Sequence, residues 1–219
     1  MMISKLLTKL QTTTKLKLNL LEETREAFED CLDICLAFAD ELKNEGDKDI
    51  PIKVEKINEY EFIFRIGADV LVFILQSNIV RLPDETYLSK SKYLKDDLTL
   101  RYFGQILIYN FLADTLTFGR LDDPGYLVCR ILLNRERKFF IEGDRKIVYS
   151  FPELKENPLT KEKLRALVEL LAEAALDNDL LAPSFQDIML ITYHQKLEHT
   201  SSMGNPQKIG FELFAKNRE

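Results

Sequence analysis

The chain has 219 residues, with 36 acidic and 30 basic side chains, a net charge of −6, 46% hydrophobic residues, three Cys, two His and no Trp. That balance excludes a disordered chain, a disulfide-stapled secreted domain and a multi-histidine metal enzyme. An acidic chain is also a poor generic ligand for nucleic acid, and what remains is a globular protein able to bury a substantial core.

Residues 1–18 form a basic arm. Lys5, Lys9, Lys15 and Lys17 stand in the first 21 residues with no acid among them, a local charge of +4 that leaves −10 on the remainder. The arm reads either as a solvated, frayed terminus or as a contact for a membrane surface or an acidic partner. It has no continuous apolar stretch and no small-residue cleavage site, so it is not read as a signal peptide. No run of 18 apolar residues predicts a membrane span. Three unpaired thiols point to a reducing compartment, and the expected location is cytoplasmic.

The first strong helix is expected over 19–44. Asn19 and Glu22 resemble a capping box, and Leu21, Phe28, Cys35 and Leu42 recur every seven residues on one stripe. Cys31 and Cys35, four apart, have a spacing that can hold a metal or a redox pair, and equally serve as small hydrophobes of that stripe. Strand chemistry follows. Tyr60, Phe62, Phe64 and Ile66 alternate with Glu61, Ile63 and Arg65, and 70–75 is apolar on both faces. Segments 52–56 and 79–82 flank this pair, and 83–97 is expected to loop across the surface. Over 98–118 the spacing of Phe103, Leu107 and Phe111 predicts a helix, against the β-branched and aromatic composition and the interior Gly104. Asp122 to Gly125 is a turn. Strands are expected at 126–133, 138–142 and 146–151, with Leu133 opposite Lys138. Thr160 caps a further helix faced by Leu164, Leu167, Val168, Leu171 and Ala175. Late strands are expected at 187–194 and 208–214.

This order, α-βββ(β)-α-βββ-α-ββ, predicts an α+β fold of mainly antiparallel sheet with flanking helices, as one domain or as two closely packed halves, 19–95 and 97–219. Phosphate-loop and nucleophile-elbow glycine patterns are missing. His194 and His199, five apart, do not share a face on either a helix or a strand.

The acids worth naming are Asp122, Asp123, Glu142 and Asp144, with Lys146 beside them. The expected hairpin brings the start of its first strand next to the turn carrying Asp144. Asp123, followed some twenty residues later by Asp144-Arg145-Lys146, resembles the PD-(D/E)xK nuclease pattern, whose core order of helix, three strands, helix, strand is similar to the order expected over 97–194. The resemblance implies Asp123 and Asp144 as ligands of a divalent metal and Lys146 as the group orienting a water for phosphodiester attack. The same residues also read as a polar turn with solvated charges. A charged tip, Arg135, Arg137 and Lys138, is expected at the other end of the hairpin, for gripping phosphate or keeping the turn solvated.

Tyr87, Tyr93, Tyr102 and Tyr109 are expected to line a groove near 83–97, and amphipathic rings of this kind are common at interfaces. The leading functional expectation is a non-enzymatic binding, adaptor or regulatory protein that needs no cofactor and works through a protein partner or self-association. The alternatives are the metal-dependent phosphodiesterase, which alone would bring in nucleic acid, and a small-ligand domain whose site lies between the sheet and a 97–118 helix.

Overall fold

The structure is a computed structural model that describes residues 2–121, 123–178, 180–181 and 207–208. The fold is α+β. Six strands run as an antiparallel meander in chain order: β1 Ile52–Asn58, β2 Glu61–Ile66, β3 Asp69–Arg81, β4 Tyr102–Leu112, β5 Tyr126–Leu133 and β6 Phe139–Gly143. Helices α1 Met2–Lys9 and α2 Lys15–Glu45 precede the sheet, and a π-helical stretch, Leu10–Thr14, joins them. The short helices are α3 Lys92–Asp96, α4 Ala113–Thr117 and α5 Arg145–Ser150. The long α6 spans Lys161–Leu176, and a two-residue pair, β7 Leu180–Leu181 with β8 Gln207–Lys208, completes the described elements. The strands expected at 187–194 and 208–214, His194 and His199 lie outside the described residues, apart from Lys208 in β8.

Helices α2 and α6 cover one face of the sheet. Alternation within each strand supplies that core: Phe62, Phe64 and Ile66 from β2, Leu71, Phe73 and Leu75 from β3, Ile106 and Ile108 from β4, Ile131 and Leu133 from β5. Phe62 stacks on Phe73 at 4.3 Å and meets Phe28 of α2 at 5.0 Å. Helix α2 crosses β4 at Gly104, where a Cβ would stand 2.7 Å from two carbons of the buried Thr24. A glycine inside a strand marks this kind of close approach. Cys31, Cys35 and Cys129 are all buried in the same core, and burial pushes their thiols up, Cys31 to about 12. They act there as small apolar groups.

Ion pairs fix α2 from both sides. Arg137 at the β5–β6 turn reaches Glu23, Glu26 and Asp30, while Arg25 meets Glu59 and Lys56 meets Glu29 beside the β1–β2 turn. The acid-rich side of the helix is thus a clamp onto both hairpin tips. At the far end of α2, Arg165 of α6 grips Glu41 through two nitrogens and lies 4.3 Å from the Phe38 ring centre.

Four sequence expectations are corrected. Residues 102–112 are a central strand, because apolar side chains on both faces satisfy a sheet covered on both sides. Residues 145–150 are helix rather than strand, since the Asp144 carboxylate accepts from Lys146 N–H at 2.8 Å and turns the chain into α5. The hairpin register is one residue off: Leu133 faces Phe139, and Glu142 faces Arg130. The extra residue is Arg137, whose φ of 53° places it in the left-handed region at the end of the turn. Finally, helix extends back to Met2, and Asn19 sits inside α2 rather than capping it. No glycine or proline interrupts residues 2–45.

The two sheet edges differ. Residues 157–159 cover the start of β6, with Phe139 N–H donating to Asn157 O. Strand β1 carries Lys53, Glu55 and Lys56, charges that discourage edge pairing.

Candidate functional site

Strand β3 ends at Arg81 and β4 begins at Tyr102, and the intervening 82–101 folds into a fixed platform over the second face of the sheet. Leu82, Leu94 and Leu100 are buried against Phe103, Leu132 and Leu154. Ser91 caps α3, and Asp97 caps the turn Leu98–Arg101, accepting from Thr99 N–H at 2.8 Å and its hydroxyl at 2.6 Å. These bonds, with the Arg135 guanidinium, hold the Asp97 carboxyl below its ordinary value. The buried Arg101 ties the platform together, donating to Leu94 O at 3.1 Å and to Asp84 at 2.6 Å.

A cleft of about 830 Å³ opens between this platform, the β5–β6 turn and residues 152–155. Tyr93 forms its fixed wall. Its hydroxyl donates to Glu136 at 2.8 Å and accepts from Asn134 at 2.9 Å, and the Lys138 ammonium stands 4.6 Å from its ring centre. Burial, together with the Glu136 carboxylate, pushes the Tyr93 hydroxyl up to about 12, and the same hydrogen bond holds Glu136 below its ordinary value. Tyr87, by contrast, is 90% exposed. Lys90, Lys92, Asp96, Glu153 and Lys155 also line the cleft, and none of them makes a side-chain ion pair among the described residues.

The structure therefore gathers Tyr87 and Tyr93 and separates the other two tyrosines. Tyr102 lies under Lys17 at 5.3 Å, and Tyr109 lies 6.4 Å from Phe111. A helix over 98–118 would have kept Tyr102 and Tyr109 close together. On a strand, seven residues span about 23 Å, and an odd spacing puts the two on opposite faces. The same change removes the expected ligand site between the sheet and a helix over 97–118.

Asp122 lies outside the described residues, and Asp123, Asp144 and Lys146 have separate partners. Asp123 accepts from the Thr115 hydroxyl at 2.7 Å and lies 3.9 Å from Arg120. Asp144 caps α5, and Lys146 turns to Asp177 at 2.7 Å and Glu173 at 3.6 Å on α6. Asp177 and then Glu173 raise the Lys146 pKa. Among the described residues, no three of His, Cys, Asp and Glu are grouped as metal ligands. The helix, three strands, helix, strand order that accompanies the nuclease pattern is also not present over 97–178, because 102–112 is strand and 145–150 is helix.

At the hairpin tip, Arg135 pairs with Asp97, Arg137 with three carboxylates of α2, and Lys138 with Glu136. The tip charges are committed within the fold. The sequence reading missed Lys90, Lys92, Glu136, Glu153 and Lys155 as cleft residues. Only the clustering of charge near Tyr93 hinted at the first two.

No family model, curated protein or solved structure gives a significant match to the chain. No helix among the described residues is long and apolar enough to cross a membrane.

Proposed function

We propose that this protein is a non-enzymatic binding protein, an adaptor or regulator, and that the cleft beside Tyr87 and Tyr93 receives a protein partner. The observation that carries this reading is one immobilised tyrosine beside one fully presented tyrosine, ringed by charges of both signs without partners in the described fold. Tyrosine gives large contact area at low entropic cost and dominates many interface hot spots. The platform is held by buried leucines and by Arg101, so little ordering is needed on binding. Tyr93 stays protonated and Glu136 ionised near neutrality, which suits fixed hydrogen-bonding roles rather than proton transfer.

A small-ligand site is the second reading, favoured by the cleft volume, which lies within the range of about 300–1,000 Å³ common for such sites.

The test uses the full chain as bait in its native cells, beside the variants Tyr87→Ala and Lys90→Glu/Lys92→Glu. The expected result is a polypeptide retained by the wild type and reduced at least tenfold with each variant, at unchanged thermal stability. Equal retention by all three, or a low-molecular-weight ligand released from the purified protein and lost in Tyr87→Ala, overturns the protein-partner reading.

A further inference from the structure

The N-terminal helix stands apart from the sheet. Residues 3–15 are exposed throughout, so the described residues of the body do not cover α1. Ile3, Leu6, Leu7 and Leu10 recur at i, i+3, i+4 and i+7, which places them on one stripe of the helix, and each is between 50% and 73% exposed. Lys5 and Lys9 stand on the polar side of the helix, across from this stripe, Lys15 follows, and Lys17 lies over the Tyr102 ring of β4. On the far side, the Thr8 hydroxyl donates to Ser4 O at 2.9 Å and the Thr12 hydroxyl to Thr8 O at 2.8 Å. These hydroxyls bond back to their own helix, leaving the apolar stripe and the ammonium groups as its outward chemistry.

We propose that residues 2–18 form an interfacial helix that lies on anionic lipid surfaces. The occupant must offer apolar depth to four aliphatic side chains and anions to the lysines of the same helix. A second copy of the same helix supplies the first requirement and not the second. No acid occurs in residues 1–21, so two such helices packed together would join like net charges with no carboxylate to offset them. The acyl–headgroup boundary of an anionic bilayer supplies both, as it does for cationic amphipathic helices generally. The −10 borne by the rest of the chain is repelled by the same surface. Lipid contact is therefore confined to the helix, with the body held off by charge. This inference is independent of the cleft reading.

The experiment is vesicle co-flotation of the full chain with phosphatidylcholine vesicles and with vesicles containing 30% phosphatidylserine. It is repeated for Leu6→Ser/Leu10→Ser and Lys5→Glu/Lys9→Glu, with size-exclusion chromatography run in parallel. All substituted positions are exposed, and unchanged thermal unfolding verifies the fold. Expected is at least tenfold tighter partition into the phosphatidylserine vesicles, a loss of at least tenfold in each variant, and weakening as salt rises from 0.1 to 0.5 M. Three outcomes overturn the proposal: no partition of the wild type, equal partition into both vesicle types, or a wild-type dimer that Leu6→Ser/Leu10→Ser dissolves, which would make a second copy the occupant.

Discussion

Gly104→Ala tests the packing on which the whole fold depends. The new Cβ would lie 2.7 Å from the Cβ and Cγ2 of Thr24 and nearer still to its hydroxyl, which already bonds Leu20 O at 2.6 Å. Ordinary carbon contact begins near 3.4 Å, so α2 must retreat by at least about 0.7 Å along its crossing with β4. That retreat loosens Leu20, Ala27, Phe28 and Cys31, all buried on the same side of α2. Overpacking by one carbon costs about 1–3 kcal/mol, and a clash that includes the Thr24 Cβ, which no rotamer change can move aside, belongs at the upper end, about 3 kcal/mol. Thr24→Gly alone costs about 1–2 kcal/mol from helix propensity and lost packing. In the double variant the clash is gone, so the two costs do not add, and a coupling of at least about 1.5 kcal/mol is expected. Urea unfolding followed by circular dichroism measures all four proteins, with m unchanged across the set. A Gly104→Ala variant within about 0.5 kcal/mol of wild type, or strictly additive costs, would refute the close crossing.

Two other sites give sharp expectations. Arg137 combines a left-handed backbone with ion pairs to α2, so Arg137→Ala should lose about 1–2 kcal/mol and Arg137→Gly about 1 kcal/mol less than that. Urea unfolding in 1 M salt should narrow the wild-type advantage and leave the Ala–Gly gap unchanged. At Asp97 the folded pKa is depressed, so its contribution to stability is present above the unfolded value and is lost as pH falls through the folded value, in acid below about pH 4. Thr99→Val removes the hydroxyl hydrogen bond to the carboxylate, and NMR titration of the carboxyl should then move up toward its ordinary 3.8. An unmoved titration would show that Thr99 does not hold the carboxylate.

Much of the fold was legible where one face of an element is polar. The strand with Phe62, Phe64 and Ile66 alternates cleanly, and α6 announces itself through Thr160, whose hydroxyl accepts from Lys163 N–H, and through an apolar face ending at Ala175. Strand β4 was not legible in the same way. Its neighbours on both sides and its cover on both faces allow apolar residues at nearly every position, and the spacing of Phe103, Leu107 and Phe111 then imitates a helix. Gly104 was the residue that argued correctly, for a reason visible only once Thr24 is placed above it. The register slip came from Arg137, because a left-handed arginine leaves no mark in the sequence and is held by carboxylates more than a hundred residues away.

The candidate site was half legible for the same reason. Tyr87 and Tyr93 are close in the chain and remain close in space, whereas Glu136, Glu153 and Lys155 reach the cleft only through the β5–β6 turn and the return from α5. Asp123 and Lys146 are near each other in the sequence pattern, yet Thr115 and Asp177 draw them into different pairings.

The proposed role of the cleft is tested most directly by site-specific photo-crosslinking in native cells. A benzophenone side chain is placed at Tyr87, and a control at Phe118, which is also exposed but lies beyond the other end of β4. The binding reading predicts a discrete polypeptide adduct from position 87, absent from position 118 and lost when Lys90 and Lys92 are both changed to Glu. No adduct at position 87, or the same adducts from both positions, would contradict it.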